Sequence, residues 1–205
     1  MRALLVALLV VLGTGAGRQA DDVLATLSVK GRAPATGYSR EQFGPAWADV
    51  DHTGCDTRDD VLNRDLVAKD WRPGTHGCVV VAGVLHDPYT GQRLVFAKAD
   101  AAAVQIDHVV ALSDAWQKGA ATWDAERRRA FANDPLNLLA VDGPTNERKG
   151  DGDAATWLPP DRSYRCRFVA RQVAVKAKWH LWITPAEHDA IQRVLDRCPQ
   201  QRVPS

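Results

Sequence analysis

Four polar residues stand beside apolar segments in a pattern that could support hydrolysis. Asp107 and His108 lie inside an apolar run, Asn137 precedes a second one, and Asn146 opens a polar segment. A neutral imidazole is a suitable general base near pH 7, and carboxylate and amide oxygens suit hard divalent ions. An isolated histidine in an apolar strand is ordinarily a hydrogen-bonded core residue. The combination with the other three residues favours a catalytic site in which the histidine activates water beside a divalent ion.

The elements that must position these residues lie between residues 105 and 149. The sequence predicts a strand around Asp107 and His108, a second strand over 137–141 and a short helix that begins near Pro144. Adjacent residues of an extended strand point to opposite faces, so Asp107 and His108 can reach one ion only if the backbone bends there. We expect a strand, a strand and a helix folded around one metal ion.

The three sequence segments in this region resemble a known family. D-H-V-V-A-L, N-D-P-L-N-L and N-E-R-K-G-D are similar to the HNH (His-Asn-His) endonucleases, the ββα-metal nucleases. The closest likeness is to secreted members that resemble the C-terminal nuclease domain of GmrSD-type restriction enzymes. The core likeness covers residues 106–153, and the flanking G-C-D-T-R and D-P-Y-T-G patterns extend it to about 38–198. The resemblance implies an α+β fold with a ββα-metal core inside a mostly helical shell.

The resemblance also implies a role for each site residue. His108 matches the general base, Asp107 and Asn146 match the metal ligands, and Asn137 matches the residue that braces the loop between the strands. Lys149 lies near a position that could steady phosphate, and the neighbouring Arg148 is a further candidate for substrate binding.

Two positions depart from the family pattern. Ala111 stands where the family often has proline, and Asn146 replaces the last histidine. An asparagine ligand weakens the case for zinc and favours one Mg²⁺ or Mn²⁺ ion bound by oxygen atoms.

Further arginines are candidates for binding phosphate. Arg58 follows Cys55 closely, so a disulfide at Cys55 would fix the position of its guanidinium. A fixed guanidinium can form bidentate hydrogen bonds to a phosphate. An ion pair with Asp56 or Asp60 is the alternative for Arg58. Six basic residues lie between 162 and 178, and Arg167 and Arg171 could follow a nucleic-acid backbone on one helix face.

The four cysteines indicate disulfide bonds rather than a metal site. None belongs to a C-x-x-C pair, which argues against structural zinc. Three pairings are open, and we prefer Cys55–Cys78 with Cys166–Cys198 because each closes a local loop. Each bond would contribute roughly 2–4 kcal/mol.

The chain divides into four expected parts. Residues 1–20 resemble a secretory signal peptide with an undefined cleavage point, and an uncleaved anchor is the alternative. Residues 21–37 form a leader, 38–198 the nuclease domain, and 199–205 a tail. No later segment is long and apolar enough to cross a bilayer. With 26 basic and 25 acidic residues among 205, overall charge does not itself indicate a nucleic-acid partner.

An acidic segment between Asp49 and Asp60 loosely matches a calcium loop. The match is imperfect because Thr53 and Asp60 replace the preferred ligands. We expect a solvated turn, with a Ca²⁺ site as the alternative.

Other elements are predicted from local patterns. We expect helices from Ser39, over 61–67, 113–121, 123–131 and 168–182, and from Thr184 to about 197. Strands are expected over 78–85 and 93–97, joined as a hairpin.

These observations together predict a secreted, metal-dependent endonuclease. Its substrate would be DNA, with RNA as a further candidate, and it would act as a monomer with little sequence specificity. Two alternatives remain: a catalytically inactive nucleic-acid-binding module and a calcium-stabilised extracellular binding protein.

Overall fold

The computed structural model describes residues 17–204 and has an α+β fold. Its helices are α1 (Ala20–Leu24), α2 (Thr57–Asp65), α3 (Leu112–Gln117), α4 (Ala125–Ala132), α5 (Gly143–Lys149), α6 (Arg165–Trp179) and α7 (Pro185–Leu195). Its strands are β1 (Leu66–Trp71), β2 (Val80–His86), β3 (Arg93–Ala97), β4 (Val104–His108) and β5 (Leu138–Asp142). The strands form two small antiparallel sheets, β1-β2-β3 and β4-β5.

The three-stranded sheet contains one confirmed prediction and one error. The hairpin of β2 and β3 is present, and the Asp87 carboxylate accepts hydrogen bonds from two backbone N–H groups of its turn, those of Tyr89 and Thr90. The predicted helix over 61–67 is confirmed as far as Asp65, where α2 ends, and is wrong at Leu66 and Val67, where the chain becomes β1. Pairing of Leu66 and Val67 with β2 overrides the helical pattern there.

The region before the first sheet is less helical than predicted. The helix expected from Ser39 is a short 3₁₀ turn over Arg40–Phe43, and the Ser39 side chain makes no capping bond. At the other end of the chain the prediction from Thr184 is confirmed. Its side chain accepts a hydrogen bond from the N–H of Glu187 at the start of α7.

The hairpin of β4 and β5 runs directly into α5. The register pairs Val104 with Asp142 and His108 with Leu138. Asp142 caps α5 by accepting a hydrogen bond from the N–H of Thr145 at 2.9 Å. A Cβ on Gly143 would lie 2.1 Å from a backbone oxygen, so only glycine allows this close passage from strand to helix. The predicted order of strand, strand and helix is therefore present.

Both faces of this hairpin are buried. Leu139 and Val141 pack against α1, α6 and α7, whereas Leu138 and Ala140 pack against α2 and the three-stranded sheet. A strand buried on both faces needs apolar residues at successive positions, which explains the apolar runs around Asp107 and Asn137. The hairpin is consequently held rigidly from both sides.

The two ends of the described chain lie together. Gln19 forms a β-bridge with Arg202, and the N–H of Ala20 donates to the Gln201 carbonyl at 2.9 Å. Residues 1–16 of the expected signal peptide lie outside the described residues. Within residues 17–204, no helix is long and apolar enough to cross a membrane.

Both preferred disulfides are confirmed. Cys55 is bonded to Cys78 and Cys166 to Cys198, with Cα–Cα distances of 5.2 and 6.4 Å. The Cys55–Cys78 bond joins the segment before α2 to the segment before β2. The Cys166–Cys198 bond joins the first turn of α6 to the segment after α7.

A buried cluster of charges joins α3, α6 and α7 to the segment after α5. Lys118 Nζ lies 2.7 Å from Glu187 Oε2 and 2.8 Å from Asp153 Oδ2, and Lys176 Nζ contacts Glu187 Oε1 and Asp114 Oδ2 at 2.6 and 3.1 Å. Burial alone would raise the pKa of Asp114, but Lys176 and Lys118 outweigh it and lower this pKa to about 2. Lys176, one of the six basic residues between 162 and 178, is thus buried and paired.

Removing one cation from this cluster should destabilise the fold strongly. Lys176→Met removes the ammonium that pairs with the buried carboxylates of Asp114 and Glu187. We expect this change to lower the free energy of unfolding by about 3–5 kcal/mol. The matched control is Lys178→Met. Lys178 is 51% exposed and pairs with Asp134, so its loss should cost about 0–1 kcal/mol. Urea denaturation of both variants measures the difference, and equal effects would contradict a structural role for the cluster.

Candidate active site

A cavity of about 380 Å³ opens at the end of β4 beside α5. Asp107, His108, Asn146 and Arg58 all line it. Four residues selected from separate parts of the sequence therefore share one cavity. His108 is the last residue of β4, so its side chain and that of Asp107 reach the cavity where the strand ends.

The His108 imidazole is buried and has a defined proton. Its Nε2 lies 2.8 Å from the carbonyl oxygen of Ala132. Because a carbonyl can only accept, we assign the proton to Nε2, which leaves a lone pair on Nδ1. Burial lowers the pKa of His108 to about 4, although the Ala132 contact opposes this shift. The indole of Trp47 stacks on the imidazole with a centroid distance of 6.1 Å and an interplanar angle of 8°.

The Asp107 carboxylate is fixed by two buried donors. Its Oδ1 lies 2.8 Å from Lys149 Nζ, and its Oδ2 accepts a short hydrogen bond from the Tyr89 hydroxyl. Burial and the neighbouring Asp107 charge raise the pKa of Tyr89 well above its usual value, so this hydroxyl stays protonated and donates. Each carboxylate oxygen keeps acceptor capacity beyond these two bonds.

Lys149 does not face the open side of the cavity. Its side chain is fully buried, and its ammonium also donates to the His108 carbonyl at 2.9 Å. A buried lysine requires a counter-charge, and Asp107 supplies it. The structure therefore places Lys149 between α5 and β4, where it orients Asp107, rather than where the sequence suggested, against phosphate.

Asn137 contacts the backbone segment that follows His108. Its Oδ1 accepts from the N–H of Val110 at 2.8 Å, and its Nδ2 donates to the Val110 carbonyl at 3.1 Å. Its own carbonyl accepts from the N–H of Val109 at 2.8 Å. Asn137 is fully buried, so it can position His108 but does not reach the cavity.

Asn146 presents an oxygen that the protein leaves free. Its Nδ2 donates to Gln105 Oε1 at 2.9 Å, and Gln105 in turn donates to Glu147. Among residues 17–204, Asn146 Oδ1 accepts no hydrogen bond. No group of three or more His, Cys, Asp or Glu side chains in that range could hold a metal ion. The cavity lining offers oxygen atoms from the carboxylates of Asp107 and Asp151 and from the amide of Asn146, and oxygen donors are the kind that a hard cation prefers.

Arg58 reaches the cavity without forming its alternative ion pair. Its guanidinium donates to the carbonyls of Val104 and Ala101 at 3.4 and 3.5 Å, and it pairs with no carboxylate among residues 17–204. Asp56 instead caps α2 by accepting from the N–H of Asp59. Burial lowers the pKa of Arg58, but a guanidinium remains charged at neutral pH.

The other predicted substrate-binding arginines do not line this cavity. Arg148 is exposed and donates to Thr145 Oγ1 at 2.7 Å. Arg171 donates to the Leu136 carbonyl at 2.7 Å, and Arg167 lies over the Tyr164 ring at 5.5 Å. The last two have roles in local packing of α6.

Sequence reasoning missed several residues of the cavity. Tyr38, Arg40 and Trp47 line it and come from a segment about 60 to 70 residues before His108, and Asp151, just after α5, lines it as well. Arg40 is exposed and forms no ion pair with any described carboxylate. An isolated arginine and tryptophan carried no local signal that could have assigned them to the site.

The acidic segment near Asp49 uses its carboxylates for its own turn. Asp49 Oδ2 accepts from the N–H of Gly54 at 3.0 Å, and Asp51 Oδ1 accepts from the hydroxyl and the N–H of Thr53 at 3.0 and 3.3 Å. These hydrogen bonds close the solvated turn that we expected for the segment between Asp49 and Asp60.

Comparison with known proteins shows what the chain is similar to. An "Uncharacterized secreted protein" of Arthroderma benhamiae is 38% identical over 186 residues, covering 87% of this chain and 84% of the relative. No solved structure matches the chain. The family described as "GmrSD restriction endonucleases, C-terminal domain" matches residues 56–194, which include α2, α6 and the whole β4-β5-α5 unit. The chain therefore belongs to the family of GmrSD restriction endonuclease C-terminal domains.

Proposed function

We propose that this protein is a secreted, metal-dependent endonuclease with a ββα-metal core of the HNH type. The observation that carries the proposal is the single cavity that His108, Asp107, Asn146 and Arg58 share. The substrate class is nucleic acid, DNA first and RNA as a further candidate. The protein acts as a monomer. The disulfides and the name of the relative support secretion.

His108 acts as the general base in this proposal. Its Nδ1 lone pair accepts a proton from the attacking water, while the Nε2–H bond to the Ala132 carbonyl holds the ring in one orientation. Asn137 fixes the backbone that follows His108. Burial keeps the imidazole neutral between turnovers, which is the form that can accept the proton.

Asp107 and Asn146 would hold one Mg²⁺ or Mn²⁺ ion. Such an ion polarises the phosphoryl oxygen and neutralises charge on the leaving oxygen when it is bound. The hydrogen bonds from Lys149 and Tyr89 fix the Asp107 carboxylate, and the bond to Gln105 fixes the Asn146 amide. Both ligands are therefore oriented before an ion arrives.

Arg58 is proposed to bind the phosphate being cleaved. Its contacts to two backbone carbonyls leave donors of the guanidinium unused, since the group carries five N–H bonds. A phosphate can accept bidentate, charge-assisted hydrogen bonds from the guanidinium, which no described carboxylate does. Because such contacts reach sugar and phosphate rather than base edges, they confer little sequence specificity.

Loss of the imidazole should abolish cleavage while the protein stays folded. The mature protein is incubated with plasmid DNA and with RNA in Mg²⁺, Mn²⁺, Ca²⁺ or EDTA. We expect cleavage with Mg²⁺ or Mn²⁺, none in EDTA, and a loss on the order of 10²- to 10⁴-fold in His108→Ala. His188→Ala, on the surface of α7, is the matched control and should retain activity.

Two results would contradict the nuclease proposal. Binding of nucleic acid by the wild type without cutting in any metal would instead identify a binding module. Equal cleavage by His108→Ala and His188→Ala would remove the imidazole from the mechanism.

Replacement of Arg58 separates its phosphate role from a structural one. Arg58→Ala should keep the wild-type melting temperature and lower turnover about 10- to 100-fold, because one charged hydrogen-bonded contact is lost. Arg93→Ala, at an exposed position of β3, is the control for removing a surface arginine. A large drop in melting temperature for Arg58→Ala would show that the guanidinium acts mainly as a structural tie.

A further inference from the structure

A second cavity of about 230 Å³ adjoins the candidate active site. It shares Arg40, Trp47 and His108 with the first cavity. Its remaining lining is largely apolar and includes Phe43, Pro45, Ala46, Leu112 and Ala132. Any group bound there would touch the imidazole that faces the scissile phosphate.

The wall formed by Trp47 is held in an unusual backbone conformation. Trp47 has a φ of 58°, in the left-handed region that bulky residues rarely adopt. The half-buried indole lies parallel to the His108 ring. Backbone strain of this kind is concentrated at functional sites, and it persists only where the surrounding structure holds the residue in place. The indole thus contributes a flat, apolar surface between the two cavities.

A buried polar atom in the same wall has no partner. Asn133 lines the cavity, is 1% exposed, and donates through Nδ2 to the Arg129 carbonyl at 2.9 Å. Its Oδ1 has no hydrogen-bond partner among residues 17–204 and is itself buried. Asn133 also lines a separate cavity beside Arg64 and Pro135, so the ligand of the second cavity is inferred from the other residues of its wall. Glu41, also in the lining, is a second acceptor.

The entrance shared by the two cavities carries a free cation. Arg40 is exposed, and its guanidinium forms no ion pair within the described part of the chain. The site therefore suits a ligand with a flat ring that enters the apolar cavity and a negative group that pairs with Arg40. A nucleotide has both, in its base and its phosphate.

We propose that this second cavity binds an unpaired nucleobase that adjoins the scissile phosphate, a conclusion that rests on the proposed nuclease function. A paired base is held in its stack, and an enclosed pocket accepts a base only from a single strand or after it leaves the duplex. Stacking on an aromatic ring tolerates every base, which is compatible with little sequence specificity. The preferred substrate is thus single-stranded or locally melted nucleic acid.

Binding without cleavage provides the direct test. A short fluorescein-labelled single-stranded DNA, the same sequence in RNA, its duplex, and an abasic strand of equal length are titrated in EDTA. The wild type should bind both base-bearing single strands more tightly than the duplex or the abasic strand. Trp47→Ala should weaken single-strand binding on the order of 10- to 100-fold, the effect of one lost stacking contact. It should leave abasic binding unchanged.

A second variant, which fills the cavity, keeps the test decisive if Trp47→Ala does not fold. Ala46 is exposed and lines the cavity, so Ala46→Trp should block the base without disturbing the core. Ala130→Trp, at an exposed position of α4 outside both cavities, is its control. With Mg²⁺ or Mn²⁺, Ala46→Trp should lose its preference for single strands while Ala130→Trp keeps it.

The outcomes separate the base pocket from the nuclease proposal. Equal wild-type affinity for the abasic and base-bearing strands, or identical behaviour of Ala46→Trp and Ala130→Trp, would overturn the base pocket even if cleavage is robust. Absence of cleavage together with base-dependent binding that Ala46→Trp removes would support the pocket and refute the nuclease.

Discussion

The buried pair of Lys149 and Asp107 is the contact on which the rest of the site depends. It joins the last residue of α5 to β4, and the same ammonium holds the His108 carbonyl. Two charges withdrawn from water are costly unless they are well paired and hydrogen-bonded, so the carboxylate, the strand end and the helix are fixed as one unit. Asn146 lies three residues before Lys149 on that helix, and its position follows from the same contact. The Asp107 carboxylate therefore both fixes α5 through Lys149 and lines the cavity.

The surrounding elements supply what this unit lacks. α4 ends at Ala132, whose carbonyl sets the tautomer of His108, and the turn after β2 brings the Tyr89 hydroxyl to Asp107. Arg58 enters from α2, and the disulfide of Cys55 with Cys78 lies close to the start of that helix. The buried charges around Lys118 and Lys176 anchor α3, α6 and α7 behind the hairpin. A short strand-strand-helix unit needs such support because it has little core of its own.

The sequence predicted the central unit because its signals are local. Apolar runs bounded by turns marked β4 and β5, and Pro144 marked the start of α5. The direction of Lys149 was not predictable in this way, since a helix pattern does not reveal whether an ammonium meets solvent or a buried carboxylate. The buried position of Lys176 was not predictable for the same reason, because its partners Asp114 and Glu187 lie on other helices. Leu66 continued a helical pattern, but strand pairing with Leu85 decided its conformation. Trp47 and Arg40 join the site only through tertiary packing.

The proposed mechanism depends on one ion held between Asp107 and Asn146, and the position of that ion can be measured directly. Anomalous diffraction from crystals grown with Mn²⁺ would locate the metal without reference to activity. We expect a single strong peak within coordination distance of an Asp107 carboxylate oxygen and Asn146 Oδ1. A peak at Asp49 and Asp51 instead, with none beside Asp107 at saturating Mn²⁺, would contradict it.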